Sequence, residues 1–169
     1  GLTVIAEGVE SDETWRRLAI EGVDRLIGKG VYYGAARSEA GVAQGRDIHL
    51  IGCGNSAGQA ALYFANHART VTLVVRGDAL EKGMSRYLID QLASRSNIAV
   101  LTHSEVVAAH GDDALEAIAV RDSVTGHTTD LHSDGIFIFI GADAETGWLP
   151  REIALDGRGY VLTGADLRE

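Results

Sequence analysis

Apolar positions form unbroken runs in the middle of the chain and shorter, interrupted runs after it. Asp47–Ile51 (D-I-H-L-I) reads as a strand, and Thr70–Val75 (T-V-T-L-V-V) is β-branched and almost wholly apolar, the pattern of a parallel strand covered on both faces. Between them, Asn55–His67 spaces its apolar residues as a helix does. Leu80–Ser94 predicts a second helix, with Ser85 a candidate cap inside it, and Ile98–Leu101 a third strand. Strand, helix, strand, helix, strand implies a right-handed parallel sheet. The pattern then changes. Glu105–Ala109, Leu115–Arg121 and His127–Leu131 are short runs separated by turn residues and predict an antiparallel meander. Gly135–Ile140 returns to a fully apolar strand, and Ile153–Leu155 with Tyr160–Leu162 predict a hairpin around Asp156–Gly159. Before Arg46 the reading is a strand at Leu2–Ala6, a helix at Thr14–Ile20, a glycine loop over Gly22–Gly30 and extended chain over Val31–Ala36.

The turn after Asp47–Ile51 reads Gly52-Cys53-Gly54-Asn55-Ser56-Ala57, the G-x-G-x-x-G/A arrangement. The first glycine permits a tight turn, the second lets backbone approach a pyrophosphate, and the small third residue brings helix and strand together. The helix start adds free N–H groups and the positive end of its dipole. This fingerprint follows a strand, opens a helix and lies in a βαβ unit of about thirty residues, the context it requires. Gly52, Gly54, Asn55, Ser56 and Ala57 are therefore candidate dinucleotide-binding residues. The expected fold is a Rossmann-like three-layer α/β nucleotide-binding domain, with the antiparallel β-meander inserted before its last core strand. A competing reading overlaps it. Gly54–Gly58 also spells G-x-S-x-G, which would make Ser56 the nucleophile of an α/β-hydrolase with partners such as Asp112 and His127. That reading lacks an H-G-G-G-type oxyanion loop and leaves Gly52 unexplained. A third reading is a non-catalytic nucleotide-binding module.

The residue after the second strand selects the cofactor. Carriers of NAD place an acid there for the ribose 2′-hydroxyl. Here Arg76 follows, and a guanidinium suits a 2′-phosphate. The expected cofactor is NADPH. Asp78 keeps NADH as the minority reading, and Lys82 and Arg86, one or two turns into the next helix, are candidates to assist Arg76, with solvated helix charges as the plainer reading.

Composition narrows the classes. Apolar residues make up 46% of 169 residues and charged residues 23%, so a globular core can form. The net charge of −9 argues against nucleic acid as a partner. No apolar run is long enough to span a membrane, and the start lacks the features of a signal peptide. Cys53 is the single cysteine, which excludes an internal disulfide and makes a reducing, cytoplasmic setting the expectation. The six histidines show no metal-ligand spacing, so no metal site is expected.

These residues carry a resemblance. Gly52–Ala57, Val71–Arg76, and Ile138-Phe139-Ile140-Gly141-Ala142 with Thr146 resemble the NADPH domain of thioredoxin reductase-like flavoproteins, and Trp15–Leu18 through Gly30–Tyr33 resemble its interdomain linker. The resemblance implies a cofactor-binding role for Ile140 and Gly141. It implies a boundary between a linker segment at residues 1–40 and an NADPH-binding domain at 41–169. The family's C-x-x-C would fall at Gly34-Ala35-Ala36-Arg37, where both cysteines are absent, and its H-R-R is reduced to Val75-Arg76-Gly77. The family's FAD motifs are not found, so the implied role is hydride delivery to an FAD held by a domain missing from this chain. Turnover by the chain alone is not expected. The surface left by that domain implies self-association. Val4-Ile5-Ala6-Glu7-Gly8-Val9-Glu10 also resembles a strand of EAL-type cyclic-di-GMP phosphodiesterases, over about ten residues only.

Overall fold

The computed structural model describes residues 20–34, 40–141, 146–157 and 159–164. The readings placed on Leu2–Ala6, on most of Thr14–Ile20, on the EAL-like stretch and on Ala35–Arg37 lie outside the described residues. In chain order the elements are α1 (Val23–Leu26), β1 (Val31–Tyr33), α2 (Ala40–Ala43), β2 (Asp47–Ile51), α3 (Asn55–Phe64), β3 (Thr70–Val74), α4 (Arg86–Ala93), β4 (Ile98–Leu101), β5 (Ser104–His110), β6 (Ala117–Asp122), β7 (Thr128–His132) and β8 (Gly135–Ile138).

Five strands form a parallel sheet in the order β1-β8-β2-β3-β4, and β5-β6-β7 form a separate antiparallel sheet. Both faces of the sheet's centre are covered, which is why β2, β3 and β8 carry apolar residues on both faces, whereas Ala99 and Val100 of the edge strand β4 are exposed. Side chains alternate across each strand. Ile48, Leu50, Val71, Leu73 and Phe137 point to the α3–α4 face, where Ala57, Ala61, Phe64, Leu88 and Leu92 meet them. Ile51, Val74, Ile136 and Ile138 point the other way, into Val106, Ile118 and Val120 of the meander. The three layers expected from the sequence are therefore helices, parallel sheet and meander. Residues 20–33 take part in them: β1 pairs with β8, and Ile20, Val23, Leu26 and Val31 belong to the meander-side core.

Several boundaries differ from the sequence reading. Gly22–Gly30 is not only loop, since it contains the single turn α1, whose Val23 and Leu26 are buried. The helix expected over Leu80–Ser94 begins only at Arg86, with Ser85 as its N-cap. Leu80 and Met84 are buried by a turn instead, closed by the Met84 N–H donating to the Leu80 carbonyl at 2.9 Å. The last core strand stops at Ile138 rather than Ile140. The expected hairpin is reduced to one antiparallel bridge between Leu155 and Val161. Ile153, Leu155, Tyr160 and Val161 are exposed, as is Trp148, and none joins either core cluster.

Candidate functional site

Strand order locates the site. From β2 the chain moves outward to β3 and β4, then returns to place β8 on the opposite side of β2. Ligands of open α/β sheets bind outside the carboxyl ends of the strands at such a switch point. A groove of about 460 Å³ lies there, lined by Gly52, Gly54, Arg76, Gly77, Ile140 and Gly141 among others. The sequence places five of these six in the candidate cofactor site. A second recess of about 300 Å³ adjoins it and brings Ser56 together with Tyr33, Gly54 and Gly141.

Each residue of the glycine turn has a physical reason. Gly52 takes φ 146°, and a Cβ built there would lie 2.5 Å from the Phe139 carbonyl oxygen. The close approach of the segment after β8 therefore requires glycine. Gly54 is the N-cap of α3, with no side chain capping it, and a Cβ on it would meet nothing within 4 Å. The first amides of α3 thus lack both an intrahelical acceptor and a side-chain cap beside open space, which fits an anionic diphosphate. Ala57 is fully buried in the helix-side core. The Asn55 side chain does structural work: its Oδ1 accepts the Ser85 N–H at 2.8 Å and ties the start of α3 to that of α4. Ser56 is exposed at the recess.

Two glycines the fingerprint does not include also shape the turn. A Cβ on Gly58 would lie 2.8 Å from Met84 Sδ, and one on Gly83 would lie 2.9 Å from the Cys53 carbonyl oxygen. The second glycine of the G-x-S-x-G pattern is thereby explained by helix packing. The proposed partners of Ser56 do not converge on each other. Asp112 lies in the β5–β6 turn and His127 in the β6–β7 turn, at opposite ends of the six-residue β6, about 20 Å of strand apart. Tyr33 is a site residue the sequence did not single out. Its hydroxyl donates to the Gly141 carbonyl at 2.5 Å and links the end of β1 to the chain beyond β8.

The charges around the groove are sorted by pairing. Arg76 is exposed, lines the groove and makes no ion pair among the described residues. Lys82 pairs with Asp78 at 2.8 Å, and that bond is the first cause holding the Asp78 carboxyl below the usual range. Arg86 pairs with Asp90 at 2.9 Å. At the other end of β2, Asp47, His132 and Asp134 bring three ligand-type atoms within 4.8 Å of one another. Asp47 is already clasped there by Arg69, whose Nε donates to Oδ1 at 2.8 Å and whose Nη2 donates to Oδ2. Arg69, first through its hydrogen bond, lowers the Asp47 pKa to about 2.

The description pyridine nucleotide-disulphide oxidoreductase covers residues 3–169. A 34.2 kDa protein in the rubredoxin operon of Clostridium pasteurianum is 31% identical over 164 residues, which span 97% of this chain and 51% of that protein. A thioredoxin reductase of Mycolicibacterium smegmatis is 32% identical over 146 residues, 86% of this chain and 46% of that enzyme. The crystal structure of Lactococcus lactis thioredoxin reductase superposes with a TM-score of 0.78 at 25% identity, covering 89% of this chain and 49% of that one. The chain thus spans about half the length of these relatives. On its sequence and its fold, it belongs to the pyridine nucleotide-disulphide oxidoreductase family.

Proposed function

We propose that this chain is an NADPH-binding unit of a thioredoxin reductase-like oxidoreductase, delivering hydride to an FAD carried by a domain outside it. The observation that supports this most is the groove at the switch point, which gathers Gly52, Gly54, Arg76, Ile140 and Gly141. In this reading the α3 amides, opened by Gly54, hold the diphosphate. Arg76 pairs the 2′-phosphate through its planar fork of donors. Ser56 and the Tyr33–Gly141 link border the recess on the other side of the turn. NADPH supplies the hydride when bound, and the protein supplies binding, orientation and a fixed distance to the acceptor. The pair Gly34-Arg37 stands where the family's two cysteines would be, so no dithiol relay through this chain is part of the reading.

The test is NADPH titration of the purified chain together with its visible absorption spectrum. Saturable NADPH binding without flavin absorbance is expected. No binding at millimolar NADPH contradicts the reading. We also propose that the surface an FAD domain would cover in a longer relative meets a second copy of this chain, because a large apolar patch seldom stays bare. Sedimentation velocity should then give a dimer; a monomer at the highest soluble concentration contradicts it.

A further inference from the structure

We propose that Lys82 sets the cofactor preference of the groove by holding Asp78 away from it; this rests on the NADPH reading above. Asp78 stands two residues past Arg76, in the turn that leaves β3. A carboxylate free to swing into this rim would have two effects on a dinucleotide. It would repel a 2′-phosphate by like charge, and it would accept a hydrogen bond from a bare 2′-hydroxyl. Both effects favour NADH. In this structure the carboxylate is engaged elsewhere, with Lys82 Nζ 2.8 Å from Asp78 Oδ1. Neither residue lines the groove, whereas Arg76 and Gly77 do.

Both partners stand on anchored backbone. The His103 N–H donates to the Gly77 carbonyl, and the Ser104 N–H to the Val75 carbonyl, each at 2.9 Å. These bonds fix the turn that carries Arg76 and Asp78. On the other side, buried Leu80 and Met84 flank Lys82, and Gly83 packs on Cys53. Lys82 is thus held where its ammonium reaches Asp78. The two side chains are 73% and 53% exposed, so the pair adds little to stability. Its consequence falls on the ligand bound beside it. Lys82 is a positioning residue, acting through Asp78 rather than touching the cofactor.

The experiment is a two-by-two titration of the 169-residue chain with NADPH and with NADH. The proteins are the parent, Lys82→Met, Asp78→Asn and the double variant, each checked for parent-like melting by circular dichroism. Lys82→Met in the parent should lower the NADPH-to-NADH affinity ratio by about threefold, with NADH binding tightened, while the same change in the Asp78→Asn background should leave the ratio unchanged within error. An unchanged ratio in Lys82→Met overturns the proposal. So does an equal fall in both backgrounds, because Lys82 would then act on the phosphate directly. A parent chain that does not bind NADPH overturns the cofactor reading itself, and this proposal with it.

Discussion

The two ends of strand β2 carry opposite designs. At its start, Asp47 is saturated: Arg69 clasps its carboxylate, the Thr70 hydroxyl donates to Oδ1 at 2.7 Å, and its own N–H donates to Asp134 at 2.8 Å. At its finish the turn presents Gly52 and Gly54, a helix start with no side-chain cap, and Arg76 without an ion pair among the described residues. Polar groups satisfied within the protein add stability, and those left facing a concavity await a ligand. Three charged-type residues at the first end meet a distance criterion for metal ligands, yet Arg69 already neutralises the carboxylate. Among the described residues, the absence of internal partners, more than the presence of charge, separates the candidate binding end from the structural end.

This contrast orders the expected effects. Gly52→Val should be the most damaging change, because its Cβ would strike the Phe139 carbonyl at a backbone angle that favours glycine. It should cost about 3 kcal/mol in chemical denaturation and abolish measurable NADPH binding. Acid should act on the opposite end. Burial lowers the His49 pKa to about 4, below its ordinary 6.5. The unfolded chain therefore binds a proton that the folded chain does not, and stability falls as pH drops from 6.5 towards 4. Over that window the loss should approach about 3 kcal/mol, measured by urea denaturation at several pH values, and His49→Gln should flatten it. Asp47 is lowered to about 2, so its contribution is lost later, between pH 3.8 and 2. Asp47→Asn should cost only about 1 kcal/mol, since Arg69 is 60% exposed. It should leave NADPH affinity at the parent value in the same titration; a loss there would mean that the two ends are coupled.

The core of the fold was legible because burial of the central strands leaves mostly apolar or β-branched runs with few interruptions. β2, β3 and β4 begin where those runs begin. The three layers and the meander followed from the change of pattern after Leu101. Short elements were not legible. Four-residue α1 and α2 are too brief to show a helical period, and α1 is surrounded by glycines that read as loop. Leu80 and Met84 are spaced like a helix face, but their burial comes from a turn stacked on Cys53 and Gly58. The glycine turn and Arg76 were readable from local spacing. The Tyr33–Gly141 bond joins residues 108 apart, and no local pattern announces it. Gly58 had a visible signal, its place in G-x-S-x-G, but packing against Met84 is a tertiary cause. The Asp78–Lys82 spacing was equally visible, although only geometry shows which side chain turns from the groove.

In the proposed reading, Arg76, without an ion pair among the described residues, makes this end of the sheet a site for a 2′-phosphate. Isothermal titration of NADPH and NADH against the parent chain and Arg76→Ala tests it most directly. NADPH should bind the parent at least about tenfold more tightly than NADH, with the two affinities converging in Arg76→Ala through loss of NADPH binding alone. Equal affinities in the parent chain, or a preference that survives Arg76→Ala, would contradict it.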